Sequence, residues 1–194
     1  MLGMIQVYTG DGKGKTTAAI GLAIRALGAG KTVLFLQFMK AKGYSEHQIL
    51  SRLAPDLTLA TLGKPFFVAP AGTISEEDKA KWGDSVVIFP PGQPPADYLA
   101  LVAAGLERAE AALLSGNYDV VVLDEINVAL HFGLVDWARL ADMLDRKAAG
   151  TEVILTGRRA PDPLLAKAHL VTEMREIKHY YRDLGLEARL GIEN

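Results

Sequence analysis

Cysteine is absent from the 194 residues, which excludes disulfides, thiolate metal sites and a cysteine nucleophile. The sequence also lacks a large excess of charge of either sign, because 21 Lys and Arg are balanced by 23 Asp and Glu, which gives a formal net charge of −2. No global basic surface is left to grip a nucleic-acid backbone. No run approaches the roughly 18 apolar residues of a membrane span, and the N-terminus lacks the features of a secretory signal. We therefore expect a cytoplasmic protein that binds neither nucleic acid nor membrane.

The composition, 49% hydrophobic and 23% charged, is that of a single globular domain over residues 1–194. Apolar runs predict strands at residues 4–8, 32–38, 57–62, 119–124, 152–156 and 170–172. Helical patterns lie between them, at residues 18–27, 96–115 and 136–147, the last with Asp136 as N-cap. Strands alternating with helices predict a three-layer, doubly wound α/β sandwich with a mostly parallel sheet.

Residues 64–95, hereafter the excursion, interrupt this alternation. Six prolines stiffen the segment and remove backbone donors, namely Pro65, Pro70, Pro90, Pro91, Pro94 and Pro95. It is too short and too poor in apolar periodicity to form a second domain, and connections of this length are usually functional or mobile. We interpret it as an irregular flap whose aromatic residues cover a ligand; the alternative is a surface insertion that packs its own aromatics.

The glycine-rich loop after the first strand predicts a phosphate site. Several backbone N–H groups can converge on a polyanion only where the chain curls closely, which residues without a Cβ permit. Lys15 adds a compact positive charge, Thr16 a hydroxyl for Mg²⁺, and the following helix its positive dipole end. The standard spacing places the first glycine at position 9, whereas here it is Gly10, so the loop is one residue tighter. With its strand before and helix after, the loop predicts a P-loop NTPase (RecA-like) architecture. The expected ATP-binding residues are Thr9, Gly10, Asp11, Gly12, Lys13, Gly14, Lys15, Thr16 and Thr17.

Two carboxylates follow the strand at residues 119–124. Asp124 and Glu125 lie where an open α/β sheet delivers ligands, at the carboxyl end of a central strand. With Thr16 they are the expected metal site, and the sequence leaves open which carboxylate binds Mg²⁺ directly. A helix N-cap followed by a first-turn acid is the alternative interpretation.

Arg158 follows another strand, at residues 152–156, so its planar fork of donors is expected to reach the triphosphate of ATP. Arg159 is interpreted as a solvated cation. The four histidines are scattered without the short spacing of a transition-metal site. No nucleophile elbow or kinase-type catalytic loop is found, so the sequence offers a nucleotide site without an obvious group to deprotonate an attacking atom.

Four motifs carry a family resemblance: residues 9–17, 122–130, 155–158 and 171–179. Together they resemble the P-loop ATP:corrinoid adenosyltransferases. The resemblance covers most of the chain outside residues 79–95, which look like an insertion. It implies transfer of the 5′-deoxyadenosyl group of MgATP to the cobalt of a reduced corrinoid, with triphosphate leaving. It also implies a homodimer and a reductase that supplies Co(I), and leaves open whether the acceptor is cobalamin or a precursor.

This reaction fits the missing base, because Co(I) is a nucleophile with no proton to lose. The protein need only align the cobalt with the ribose C5′ and stabilise charge on the departing triphosphate. We therefore expect Lys15, Thr16 and Glu125 to be the catalytic residues.

The corrinoid side departs from the family's pattern. Members carry a Phe-x-Trp pair after the third strand, thought to displace the lower ligand of cobalt. Here Phe66 matches the phenylalanine but Val68 stands where tryptophan is expected, so Phe67 or Trp82 would have to serve. We expect Phe66 and Phe67 to contact the corrinoid; core packing is the alternative for both.

Two other functions remain open on the residues alone. A P-loop ATPase or kinase that acts by phosphoryl transfer would need only the loop and Asp124. A nucleotide-dependent module that carries corrinoid without transforming it would show no more than one turnover.

Overall fold

The computed structural model describes residues 2–76, 79–80 and 83–193. Its strands are β1 Ile5–Thr9, β2 Val33–Phe38, β3 Leu57–Leu62, β4 Phe67–Pro70, β5 Val86–Phe89, β6 Val120–Asp124, β7 Glu152–Thr156 and β8 Leu170–Glu173. Its helices are α1 Lys15–Gly28, α2 Ser45–Leu50, α3 Ala96–Ser115, α4 Ile126–His131, α5 Trp137–Asp145, α6 Asp162–Lys167 and α7 Tyr180–Leu184. Short 3₁₀ turns lie at Ser51–Leu53 and Gly83–Ser85.

Six strands form one parallel sheet in the order β3-β2-β6-β7-β1-β8. One strand, β7, separates β1 from β6, so the glycine-rich loop and Asp124 lie at the same edge on either side of it. This arrangement confirms the predicted doubly wound α/β fold. All six strands predicted from the sequence are present, four of them with ends shifted by one residue.

Alternate residues of the central strands enter two separate cores. Val33 and Phe35 of β2 pack against α1, whereas Leu34, Leu36 and Phe38 pack on the face covered by α3 and α5. The unbroken apolar runs predicted from the sequence thus belong to strands covered on both faces, as a three-layer sandwich requires. Asp136 caps α5 as predicted, since its Oδ1 accepts a hydrogen bond from the Arg139 backbone N–H at 2.9 Å.

The excursion is more regular than predicted. Its strands β4 and β5 pair in parallel, with Phe67 opposite Val86 and Pro70 opposite Phe89. The prediction of an irregular segment is therefore wrong for these eight residues. Val68 and Phe89 are buried in the same core as α3. This shared core fixes the small sheet beside the main one.

Four short helices, α2, α4, α6 and α7, were not predicted from the sequence. Each has five or six residues, too few to show a full amphipathic repeat. Within the described part of the chain, no helix combines the length and apolarity needed to cross a bilayer.

Candidate active site

The glycine-rich loop joins β1 to α1 and turns back at Gly14. This residue occupies the N-cap position in a left-handed conformation, φ 111°, and no side chain caps the helix. The N–H groups of the first turn of α1 therefore keep their hydrogen-bonding capacity for a ligand. Residues 11–17 line a cavity of about 900 Å³. Thr9 and Gly10 lie behind this wall, where the Thr9 hydroxyl accepts a hydrogen bond from Ala160 N–H at 3.2 Å.

The segment after β8 packs against the outside of this loop. Gly12 N–H donates to the Met174 carbonyl at 2.7 Å, and Met174 N–H donates to the Thr9 carbonyl at 2.8 Å. A Cβ on Gly10 would lie 2.4 Å from the Met174 carbonyl oxygen, and one on Gly12 would lie 2.8 Å from it. Glycine is thus required at both positions by the segment that follows β8.

Lys15 folds back over the loop. Its ammonium donates to the carbonyls of Gly10 and Gly12, both at 2.7 Å. Burial, and then the positive charge of Arg158, lower the pKa of Lys15 from its usual value. A phosphate that reached the loop would offer this ammonium a charged partner in place of two neutral carbonyls.

Asp124 is fully buried at the carboxyl end of β6 and accepts four hydrogen bonds. Thr16 and Thr156 hydroxyls donate to Oδ1 at 2.9 and 2.6 Å. The Gln37 amide and the Lys40 ammonium donate to Oδ2 at 3.1 and 2.9 Å. Asp124 thus lies beside the glycine-rich loop, and the Thr16 hydroxyl that donates to it also accepts a hydrogen bond from the Lys40 ammonium at 3.1 Å.

Glu125 also faces the cavity and has a different environment from Asp124. Burial and the adjacent Asp124 charge raise the pKa of Glu125, although Lys40, Lys15 and Arg158 act in the opposite direction. Its backbone is left-handed, φ 61°, which turns the side chain out of the strand direction. Glu125 N–H donates to the Thr156 hydroxyl at 3.1 Å.

Left-handed residues other than glycine mark the edge of the sheet. Among the described residues there are three, Met39, Glu125 and Arg159, with φ of 59°, 61° and 55°. They follow β2, β6 and β7, three neighbouring strands, and all three line the cavity. Such a conformation costs free energy, so its repetition at one edge points to a functional constraint there.

Lys40 and Tyr44 belong to this site but were missed in the sequence. Both line the cavity, and the Lys40 ammonium lies 5.5 Å from the centre of the Tyr44 ring. The signal that could have found them is the end of the apolar run at Phe38, because any parallel strand delivers residues to the carboxyl edge. Which strand neighbours β6 could not be known before the topology.

Arg158 and Arg159 both line the cavity after β7. Arg158 is exposed and lies close enough to influence Lys15 and Glu125. Arg159 Nη1 lies 3.0 Å from His131 Nε2, so it is anchored to α4 and not simply solvated. Asn127 of α4 clamps the same edge, since its amide nitrogen donates to the carbonyl of Gly157 at 3.0 Å.

The two phenylalanines of the excursion point to different places. Phe67 is 50% exposed and lines the cavity beside Val68. Phe66 packs against the core, its ring centre 6.4 Å from that of Tyr98, and it does not line the cavity. Trp82, the other candidate aromatic, lies outside the described residues. The position of Phe67 fits a ligand contact, and that of Phe66 fits the alternative of core packing.

The fold and this loop together define an α/β protein of P-loop NTPase architecture. The model of the family ATP:corrinoid adenosyltransferase BtuR/CobO/CobP matches residues 1–194. The chain belongs to that family, as the resemblance implied.

Three curated relatives support the assignment. A corrinoid adenosyltransferase of Sinorhizobium sp. is 33% identical over 194 residues, covering 98% of this chain and 80% of that protein. The Salmonella typhimurium corrinoid adenosyltransferase CobA is 31% identical over 191 residues, with 98% and 85% covered. One from Pseudomonas aeruginosa is 29% identical over 192 residues, with 98% and 83% covered.

Proposed function

We propose that this chain transfers the 5′-deoxyadenosyl group of MgATP to the Co(I) centre of a reduced corrinoid and releases triphosphate. Membership of the ATP:corrinoid adenosyltransferase family carries the reaction class. The structural observation that supports it is one cavity with two kinds of wall. Residues 11–17 line this cavity with backbone N–H groups and lysines, and Phe67, Val68 and Ala69 of β4 line it with apolar groups.

The proposed chemistry breaks one bond and forms one. The electron pair of Co(I) attacks the ribose C5′, the carbon–cobalt bond forms, and the C5′–O bond breaks with its pair leaving on triphosphate. No proton moves, so the protein needs no general base. Lys15, the N–H groups of the loop and Arg158 would stabilise the charge that develops on the leaving group.

The residues present fit a magnesium ion. The Thr16 hydroxyl donates to Asp124 and accepts from Lys40, which leaves one lone pair for a ligand, and Glu125 supplies a carboxylate to the cavity. No group of three or more His, Cys, Asp or Glu side chains suited to a metal occurs among the described residues. Mg²⁺ in nucleotide sites commonly takes one or two protein oxygens and completes its shell with phosphates and water. When bound, it would neutralise charge on the phosphates.

Product analysis tests this function. Purified protein is incubated without oxygen with MgATP and a chemically reduced corrinoid, and we expect triphosphate and a light-sensitive cobalt–carbon product in equal amounts. Formation of ADP and phosphate at a comparable rate without corrinoid would instead indicate phosphoryl transfer. Product beyond one equivalent of protein excludes a module that only carries corrinoid.

Two partner proposals rest on the family resemblance. We infer that the chain forms a homodimer and that a separate reductase supplies Co(I). The edge strand β8 supports the first, because its Leu170 and Val171 side chains are 44% and 45% exposed and an apolar open edge invites pairing. Light scattering measures the mass, and an assay that starts from Co(II) corrinoid with and without added reductase tests the second.

A further inference from the structure

Lys40 reaches back from the end of β2 into the interior of the site. Its ammonium donates to Asp124 Oδ2 at 2.9 Å and to the Thr16 hydroxyl at 3.1 Å. The side chain of Lys40 is 14% exposed and that of Asp124 is fully buried. A positive charge belonging to the protein therefore contacts two of the three residues that the sequence assigned to Mg²⁺.

The hydrogen bonds of Asp124 leave no room for a further partner. A carboxylate offers about four acceptor positions, and Thr16, Thr156, Gln37 and Lys40 occupy four. A metal bound directly to Asp124 would have to displace one of these donors. Lys40 is the donor that could move most readily, because it has the longest side chain of the four. The other three side chains are shorter and belong to α1 and to the strands β2 and β7.

We propose that Lys40 is the resident counter-cation of Asp124, so that Asp124 is a positioning residue for Thr16 and not a ligand of the metal. On this view Mg²⁺ is held by Thr16 and Glu125. The inference deepens the proposed function, on which its metal assignment rests. The charge balance of Asp124 itself does not depend on which reaction the protein catalyses.

The geometry of the site pairs the Lys40 ammonium, which is 14% exposed, with a fully buried carboxylate at 2.9 Å. Removing one partner of a buried pair leaves the other charge uncompensated. Asp124 would then be a buried carboxylate beside a hydroxyl, which is the donor set that a divalent cation prefers.

The Lys40 ammonium, unlike a metal ion, is present before ATP binds. A metal ion that arrives with ATP can orient Thr16 only after the nucleotide is bound. Lys40 and Asp124 hold the Thr16 hydroxyl before that moment, which pre-organises the site. The Tyr44 ring beside the ammonium further restricts where the Lys40 side chain can go.

Manganese binding in the absence of nucleotide and corrinoid tests this inference. Free Mn²⁺ is counted by electron paramagnetic resonance with wild-type protein, Lys40→Met, Asp124→Asn and the double variant. We expect Lys40→Met to gain a Mn²⁺ site whose affinity is at least about tenfold above any wild-type binding. The gain is expected because the Asp124 carboxylate no longer has the Lys40 ammonium as its partner. The double variant should lose that site, and Lys40→Arg, which keeps the charge, should not gain it.

Thermal unfolding supplies a second readout. Mg²⁺ should raise the melting temperature of Lys40→Met by replacing the missing charge, but not that of wild-type protein or of the double variant. Wild-type Mn²⁺ binding that disappears in folded Asp124→Asn would overturn the inference, because Asp124 would then be a ligand. So would a folded Lys40→Met without a new site. If Lys40→Met does not fold, the wild-type and Asp124→Asn titrations alone decide. None of these measurements needs catalysis, so they can fail independently of the proposed function.

Discussion

The carboxyl edge of the six-stranded sheet and the excursion face the same cavity but hold their side chains by different means. At the sheet edge, buried polar groups satisfy one another, as the four donors on Asp124 show. In the excursion, Val68 and Phe89 are buried by apolar packing, while Phe67 next to them remains half exposed. Fully satisfied polar networks hold their atoms rigidly, whereas apolar packing tolerates substitution as long as volume is kept. The difference matches the two proposed ligands, a triphosphate with defined oxygens and a broad corrin face.

The largest expected effect lies at the polar edge. Lys15→Ala removes the ammonium from the phosphate loop, and we expect turnover to fall by roughly two to three orders of magnitude, as for a lost transition-state donor. The fold should survive, because within the described part of the chain the Lys15 ammonium bonds to two carbonyls of its own loop and to no other element. Steady-state kinetics and circular dichroism measure the two properties. Lys31→Ala, at the opposite end of the sheet beside Asp119, is the matched control. Near-normal turnover by a folded Lys15→Ala protein would refute the role of Lys15.

A second pair of variants separates the two carboxylates. Glu125→Gln should raise the Mg²⁺ concentration needed for half-maximal activity with little change in stability. Asp124→Asn leaves the Lys40 charge buried without its partner, so we expect a loss of about 3 kcal/mol in the free energy of unfolding. Magnesium titrations and urea unfolding measure these effects. If neither variant alters the magnesium titration, this edge of the sheet does not hold the metal.

The excursion is tested by two neighbouring phenylalanines. Phe67→Ala should lower activity by about tenfold from Co(II) corrinoid, the value of one lost aromatic contact, and less from pre-reduced Co(I). Its affinity for ATP and its stability should stay near wild type. Phe66→Ala should instead cost about 1–3 kcal/mol of stability, because it leaves a void beside Tyr98. Activity from both cobalt states, ATP titration and thermal melts distinguish the two. Wild-type activity in Phe67→Ala would make both phenylalanines packing residues.

The smallest effect concerns the core beneath the excursion. The Tyr98 hydroxyl is buried without a hydrogen-bond partner among the described residues, and burial raises its pKa from 10.0 to about 12. The unfolded chain therefore loses this proton first, so stability falls as the pH rises from 10.0 through about 12. Tyr98→Phe should be as stable as wild type at pH 7, within about 1 kcal/mol, and should lose less stability in alkali. Denaturant unfolding at pH 7 and pH 11 measures both, and a large loss at pH 7 would indicate a missing partner.

The same comparison explains what the sequence could and could not predict. Apolar runs that predict strands precede both the loop at residues 9–17 and the pair Asp124 and Glu125. Because the carboxyl ends of parallel strands meet at one edge of the sheet, the sequence could predict that these residues lie together. Lys40 was missed because its role depends on β2 lying beside β6, an adjacency that chain order does not reveal. Strands β4 and β5 have four residues each and lie among prolines, so neither shows a periodic pattern. The contact of Met174 with the loop joins residues about 160 positions apart, beyond any local signal.

The backbones of Met39, Glu125 and Arg159 have a consequence for protein engineering. A left-handed conformation costs a non-glycine residue about 1–2 kcal/mol, so glycine at these three positions is expected to relieve strain. A library selected only for heat resistance would therefore drift toward glycine there. It would enrich variants that lack the Glu125 carboxylate and the Arg159 guanidinium. These variants would be more stable, but their cavity would have lost two charged groups. These three codons should be held constant whenever the protein is evolved for robustness.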